Sequence, residues 1–239
     1  VPIDHSADTI VNGMLSKLEK TIGIKFKNKD LLNQALTHRS AARDPNVQSY
    51  ERLEFLGDAV LELAVTEFLF ENSDKPEGEL TNWRSALVQG EHLAEIAREI
   101  NLGEYINLSR GEDASGGRKK ESTLADSLEA LIGAMFLDRG FKKTKIFIDS
   151  FIICKLRTLI AQGKDKDAKS AFQEIAQEKM GTTPNYEVLN EEGPDHNKIF
   201  TVTAYIGEEK ISEGTGPSKQ KAEQMAAEQG LKAKGWNKK

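Results

Sequence analysis

The 239-residue chain is 38% hydrophobic and 30% charged, enough apolar side chain for one large core or two modest ones. Its formal net charge of −5 argues against attachment to a polyanion by bulk charge, so nucleic-acid binding needs local basic patches or metal ions over acidic ones. No uncharged apolar run of about 18 residues predicts a membrane span, no basic-then-apolar stretch predicts a secretory signal, and the single cysteine excludes an internal disulfide; the expected address is the cytoplasm.

In chain order, Ile10, Val11, Met14, Leu15 and Leu18 recur at helical spacing, and helical periodicity dominates as far as residue 160. The densest signal is the run Glu51-Arg52-Leu53-Glu54-Phe55-Leu56-Gly57-Asp58-Ala59-Val60-Leu61. At about 100° per residue, Glu51, Glu54 and Asp58 fall within roughly 60° of one another on a helix. Leu53, Leu56, Val60, Leu63 and Ala64 are expected to face a core on the other side, and Glu62 reads as a solvated residue. Leu93, Ile96 and Ala97 predict a further helix.

The loop Ser115-Gly116-Gly117-Arg118-Lys119-Lys120 reads as flexible and basic, and its three cations are candidates for a substrate phosphate. Just beyond it, Asp126 and Glu129 sit at i, i+3, opposite Leu124, Leu128, Leu131 and Met135. Ala130 and Gly133 flank these acids and are small enough to admit another helix closely. Two such helices side by side converge four or five carboxylates on one spot. Like charges so placed need an offset, and a hard divalent cation with oxygen ligands supplies one. Spacing alone leaves open the alternative that both acidic faces are merely the wet sides of amphipathic helices.

Phe147, Phe151, Ile152, Leu156, Leu159 and Ile160 form another apolar stripe, in which Cys154 is expected to be buried. Residues 161–167 are polar, charged and aperiodic, which is linker chemistry. Beyond them a helix around Ala171, Phe172, Ile175 and Ala176 should end at Gly181. Alternating segments at Tyr186-Glu187-Val188, Phe200 to Ala204 and Lys210-Ile211-Ser212 predict three strands. Ser218 reads as the N-cap of a last helix with Ala222, Ala226, Ala227 and Leu231 on one face. The order α-β-β-β-α is a small α+β module. From residue 168 on there are 10 Lys and 11 acids, so any nucleic-acid contact there is local.

The run Glu51 to Leu61 resembles the signature of the ribonuclease III family, and Thr37-His38-Arg39-Ser40 upstream and Ser122 to Leu131 downstream extend the likeness. Tyr50 departs from it, since bacterial members often carry Asn there, but it adjoins the signature without supplying a carboxylate. The resemblance implies a multidomain chain: an all-α endonuclease domain over 1–160, a linker over 161–167 and a double-stranded RNA-binding domain over 168–236. It implies that Glu54, Asp58, Asp126 and Glu129 hold Mg²⁺, with Mn²⁺ able to substitute, and that Asp58, Glu129 and Glu51 take part in catalysis. Glu51 would also help position RNA, and Glu77 is similar to a further acidic cleft residue. Phe55 matches a position that inserts into a socket of a second subunit, which implies a homodimer. His38 is expected to be structural and hydrogen-bonded.

In the C-terminal module the resemblance gives minor-groove contacts to Gln173, Glu174, Pro194 and His196, and phosphate contacts to Lys219 and Lys221. Gln220 stands where Lys or Arg is frequent, which weakens the expected phosphate grip. The implied reaction cuts double-stranded RNA to 5′-phosphate and 3′-hydroxyl ends, in the processing of ribosomal and messenger RNA precursors, with no nucleotide cofactor and no membrane partner. A non-catalytic RNA-binding scaffold would have lost the acidic set, yet Glu51, Glu54, Asp58, Asp126 and Glu129 are all present.

Overall fold

The structure is a computed structural model and describes residues 5–42 (side chains from 13 on), 47–163, 168–194 and 198–236. The chain divides into two compact units, Val1–Asp165 and Lys166–Lys239. The first is helical: α1 (His5–Ile22), α2 (Lys29–Ala35), α3 (Glu51–Asn72), α4 (Glu77–Val88), α5 (Gly90–Glu99), α6 (Arg110–Ala114), α7 (Glu121–Arg139), α8 (Phe141–Phe151) and α9 (Leu156–Ala161). The second contains α10 (Ala168–Met180), β1 (Asn185–Glu192), β2 (Ile199–Ile206), β3 (Glu209–Gly216) and α11 (Lys219–Ala233). The expected all-α unit followed by an α-β-β-β-α module is what the chain forms.

The first unit is built around α7, which is buried on nearly every side: Thr123, Leu124, Ala125, Ser127, Leu128 and residues 130–135 are all shielded from solvent. Asp126 and Glu129 therefore leave a central helix rather than a wet surface. Helix α3 packs along α7 at the closest crossing in the unit. A Cβ on Gly57 would lie 1.7 Å from the Glu129 carbonyl oxygen, and one on Gly133 would lie 2.2 Å from the Leu53 carbonyl oxygen. Paired glycines let the two backbones touch. Around this pair, Leu53, Val60, Leu61, Ala64 and Val65 of α3 join Leu93, Ile96 and Ala97 of α5 in one core.

Two expectations within this unit are corrected. Leu63 is 59% exposed rather than buried; about 100° per residue places it close to Phe70, not to the inward Leu53 and Val60. Cys154 is exposed, its Sγ donating to the Ser150 carbonyl at 3.0 Å. The expected single apolar stripe is broken there: α8 ends at Phe151 and a 3₁₀ turn at Ile153–Lys155 buries Ile152 and Ile153 while turning Cys154 outward. Glu62 keeps a solvated side chain, 42% exposed, as expected, and pairs with Arg84 at 3.3 Å.

In the second unit β1, β2 and β3 form an antiparallel sheet in that order. Phe172 and Ala176 of α10, Val202, Ala204 and Ile206 of β2, and Ala222, Ala226, Ala227 and Leu231 of α11 make its core. The predicted stop of α10 falls at Met180, ahead of Gly181. Ser218 caps α11 as expected, its Oγ accepting from the Lys221 N–H at 3.2 Å. The third strand is longer than its sequence suggests, running on through Gly214-Thr215-Gly216. Those glycines look like a turn in sequence, but they let α11 lie on the sheet: a Cβ on Gly214 would sit 2.1 Å from the Ala226 nitrogen.

Candidate active site

The α3–α7 crossing puts two pairs of carboxylates face to face. Glu54 and Asp58 stand one turn apart on α3, Asp126 and Glu129 one turn apart on α7, and the glycine contact lies between the two helices at the same level. Glu54, Asp126 and Glu129 are half-buried; Asp58 and Glu51 are exposed.

Their electrostatics record the convergence. Burial, then Asp58, Glu54 and Asp126, push the Glu129 carboxyl up from 4.5 to about 8. Every charge acting on Glu129 is another carboxylate. Glu54 is raised by burial, then by Asp126, Glu51 and Asp58. Asp126 is raised by burial, with His38 and Arg39 pulling the other way. Among the described residues, no three His, Cys, Asp or Glu side chains converge closely enough to chelate an ion as they stand. As a donor set, four hard oxygen ligands on two rigid helices fit a divalent cation such as Mg²⁺.

This convergence has a measurable cost. A carboxyl whose folded pKa lies above its unfolded value holds a proton in the folded state that the unfolded chain releases. Metal-free stability therefore falls as pH rises through the window from 4.5 to about 8. Glu129→Gln removes the Glu129 share of this dependence, leaving that of Glu54 and Asp126. At pH 7 in chelator the variant is expected to melt above the parent by roughly 2–4 °C, and near pH 4.5 the difference should close; differential scanning fluorimetry across that range checks both.

Tyr50, inconsequential by sequence, is buried within electrostatic reach of Asp126 and Glu54. It is 3% exposed, precedes α3, and meets the His38 ring edge-on at 5.7 Å. Burial first, then Asp126 and Glu54, hold its phenol well above the usual range, so it stays protonated beside Ser127. The signal missed in sequence is an aromatic directly ahead of an acidic helix. His38 is hydrogen-bonded, as expected: its Nδ1 accepts from the Ser40 N–H at 3.1 Å and contacts Ser40 Oγ at 2.8 Å.

Other candidates separate from the cluster. Glu51 accepts from Ser49 Oγ at 2.9 Å and acts on Glu54 only through space. Glu77 opens α4 and accepts from Thr81 Oγ1 at 3.0 Å; it is not among the groups that shift Glu54 or Glu129. The basic loop is no free arm. Arg118 donates to Asp113 at 2.8 Å and to the carbonyls of Gly103 and Ile106 at 2.9 and 2.6 Å, while Lys120 pairs with Glu112 at 2.6 Å. Arg118 is committed to the fold and Lys120 to a surface ion pair, while Lys119 and Lys120 both remain exposed. Phe55 is 81% exposed, and Leu63 and Phe70 follow it down the same side of α3.

In the second unit Gln173 and Glu174 are exposed on α10, Pro194 is exposed beyond β1, and His196 lies outside the described residues. Lys219 and Lys221 are exposed at the start of α11. Lys219 Nζ is 2.9 Å from Glu191 Oε1 and 5.6 Å above the centre of the Phe200 ring. Glu191 and Phe200 are direct cross-strand partners of β1 and β2, so the sheet itself presents this carboxylate to the helix N-terminus.

A family profile described as Ribonuclease-III-like matches residues 28–156, and one described as Double-stranded RNA binding motif matches residues 168–234. Ribonuclease 3 of Borreliella burgdorferi is 46% identical over 92% of this chain and 91% of its own length. Ribonuclease 3 of Geobacter sulfurreducens is 44% identical over 90% of this chain and 88% of its own. Among solved structures, a nuclease domain of ribonuclease III from Campylobacter jejuni, described for flexibility in a region involved in dimer formation, aligns with a TM-score of 0.54 at 45% identity, covering 57% of this chain and 94% of that one. Among the described residues no helix is long and apolar enough to cross a membrane. With both units matched in order and such identity carried across nearly the whole chain, this protein belongs to the ribonuclease III family and is an endoribonuclease of that type.

Proposed function

We propose that the protein hydrolyses phosphodiester bonds of double-stranded RNA at a divalent-metal site made by Glu54, Asp58, Asp126 and Glu129, releasing 5′-phosphate and 3′-hydroxyl ends. The observation that carries this reading is the α3–α7 crossing, where Gly57 and Gly133 let the backbones touch at the level of Glu54, Asp58, Asp126 and a half-buried Glu129, whose carboxyl the others help to raise. Mg²⁺ or Mn²⁺ held there would lower the pKa of bound water and stabilise charge on the attacking and leaving oxygens. The chain's own part is to fix four oxygen ligands on two helices locked at Gly57 and Gly133, with Glu51 at the rim to orient the strand. Ribosomal and messenger RNA precursors in the cytoplasm are the natural substrates this reading assigns.

The test is incubation of a long RNA duplex with the protein in Mg²⁺, in Mn²⁺ or in chelator, followed by end analysis. Metal-dependent fragments with 5′-phosphates support the reading; tight duplex binding with no cutting in any divalent metal refutes it. The exposed apolar side of α3 at Phe55, Leu63 and Phe70 supports a homodimer, in which two such sites cut both strands.

Duplex contact belongs in this reading to the C-terminal module, with Gln173, Glu174, Pro194 and His196 in minor grooves and Lys219 and Lys221 on phosphates. Lys219 is already paired with Glu191, so an incoming phosphate has to compete with that carboxylate for the ammonium. Half-exposed ion pairs of this kind are worth about 0.2–1 kcal/mol. Glu191→Gln is expected to tighten duplex binding in chelator by about two- to fivefold. Fluorescence anisotropy checks it, and the gain should vanish in a Lys219→Ala background.

A further inference from the structure

We propose that Arg39 is a substrate-positioning residue of the nuclease centre, holding a phosphate of the bound RNA strand beside the carboxylate cluster. The inference rests on the nuclease reading of that cluster and adds to it a cation that the metal-ligand set does not contain.

Arg39 projects from a turn that is fastened on two sides. On one, the Tyr50 N–H donates to the Thr37 carbonyl at 2.9 Å, and the His38 ring lies against Tyr50, the residue from which α3 departs with Glu51 and Glu54 in its first turn. On the other, the His38 N–H donates to the Asn107 carbonyl at 3.1 Å and the Ser109 N–H to Ser40 Oγ at 3.0 Å. The turn closes on itself through the Ala41 N–H and the His38 carbonyl at 2.9 Å. Every other polar group named in this turn is committed to holding it in place. Arg39 is not: its side chain is exposed and, among the described residues, makes no ion pair or hydrogen bond.

With the turn fastened beside Tyr50, Arg39 lies within electrostatic reach of Asp126 and of Glu112, as His38 does. The neighbouring cations differ in this respect. Arg118 is spent on Asp113 and two carbonyls, and Lys120 on Glu112. RNA approaching four carboxylates meets repulsion that bound metal offsets only at the reacting phosphate, leaving adjacent phosphates to be held by protein. A guanidinium presents a planar fork that grips phosphate oxygens bidentately, which an ammonium does not match. A prefixed turn also spares most of the ordering cost of such a contact.

The test uses the full chain in Mg²⁺ with duplex RNA, comparing the parent with Arg39→Gln and Arg39→Lys. The glutamine variant is expected to lose on the order of tenfold in kcat/KM, chiefly through KM. The slope of log(kcat/KM) against log salt should flatten by about one for a lost phosphate contact. Lysine should restore the slope but only part of kcat/KM, and neither variant should shift the thermal midpoint. Unchanged kcat/KM and salt slope in Arg39→Gln overturn the inference. So does a rate loss that comes with a lower midpoint and an unaltered slope, which would mark a purely structural residue. A parent that leaves duplex RNA uncut overturns the nuclease reading and this inference together.

Discussion

Glu129→Gln is expected to slow duplex cleavage in Mg²⁺ by on the order of 10³-fold, about 4 kcal/mol of transition-state stabilisation, while duplex binding in a gel shift stays at the parent's level. The substitution keeps size and removes charge, so packing against α3 is undisturbed and the lost term is electrostatic. Glu129 is the right position for the largest effect because the other three carboxylates all act on it, and it is held half-buried at the helix crossing. A ligand oxygen there has little water to substitute for it. Glu62→Gln provides the contrast: it removes an acid from α3, the helix that carries Glu54 and Asp58, but one already paired with Arg84, and cleavage should change by less than about twofold. Full cleavage by Glu129→Gln would end the assignment of that residue as a metal ligand. The same variant is expected to be more stable than the parent without metal, so lost activity cannot be attributed to unfolding.

How much of this was legible in the sequence depends on whether a residue's role is set by its own helix or by a neighbour. The carboxylates on α3 and the inward Leu53, Val60 and Ala64 follow from helical spacing alone, because α3 has a wet side and a dry side. Helix α7 defeats that logic, since Thr123 and Ser127 are as buried as Leu124 and Leu128. On such a central helix spacing can pair Asp126 with Glu129 but cannot say what they face. Leu63 and Cys154 went wrong for related reasons: an apolar letter next to apolar letters carries no information about a helix that has an exposed apolar side, or one that breaks into a 3₁₀ turn. Arg118 looked like a free phosphate ligand because its acceptors include the carbonyls of Gly103 and Ile106, and backbone acceptors leave no letter to read. Gly57 was the least legible. In sequence it is a weak helix former inside a good helix, and only the partner backbone explains it.

That glycine therefore makes a sharp test, because the two levels of description predict opposite signs. By helix propensity, Gly57→Ala should stabilise α3 by about 1 kcal/mol. By packing, the new Cβ would sit 1.7 Å from the Glu129 carbonyl oxygen and 2.9 Å from the Gly133 nitrogen, both backbone atoms that cannot rotate aside. The helices must separate, opening the core around Leu53, Val60 and Leu128. The expected net result is destabilisation by about 3 kcal/mol or more, a fall in the first unit's melting midpoint of roughly 6–12 °C. Gly13→Ala in α1, where a Cβ would meet nothing within 4 Å, should show the opposite, propensity-driven gain. Even below its midpoint, Gly57→Ala should cleave at least about 10²-fold more slowly, since displacing one pair of ligands by an ångström spoils the geometry of all four. Duplex binding by the C-terminal module should persist. If Gly57→Ala instead gains stability as Gly13→Ala does, the two backbones do not touch at this crossing, and the account of how four carboxylates are brought together there fails with it.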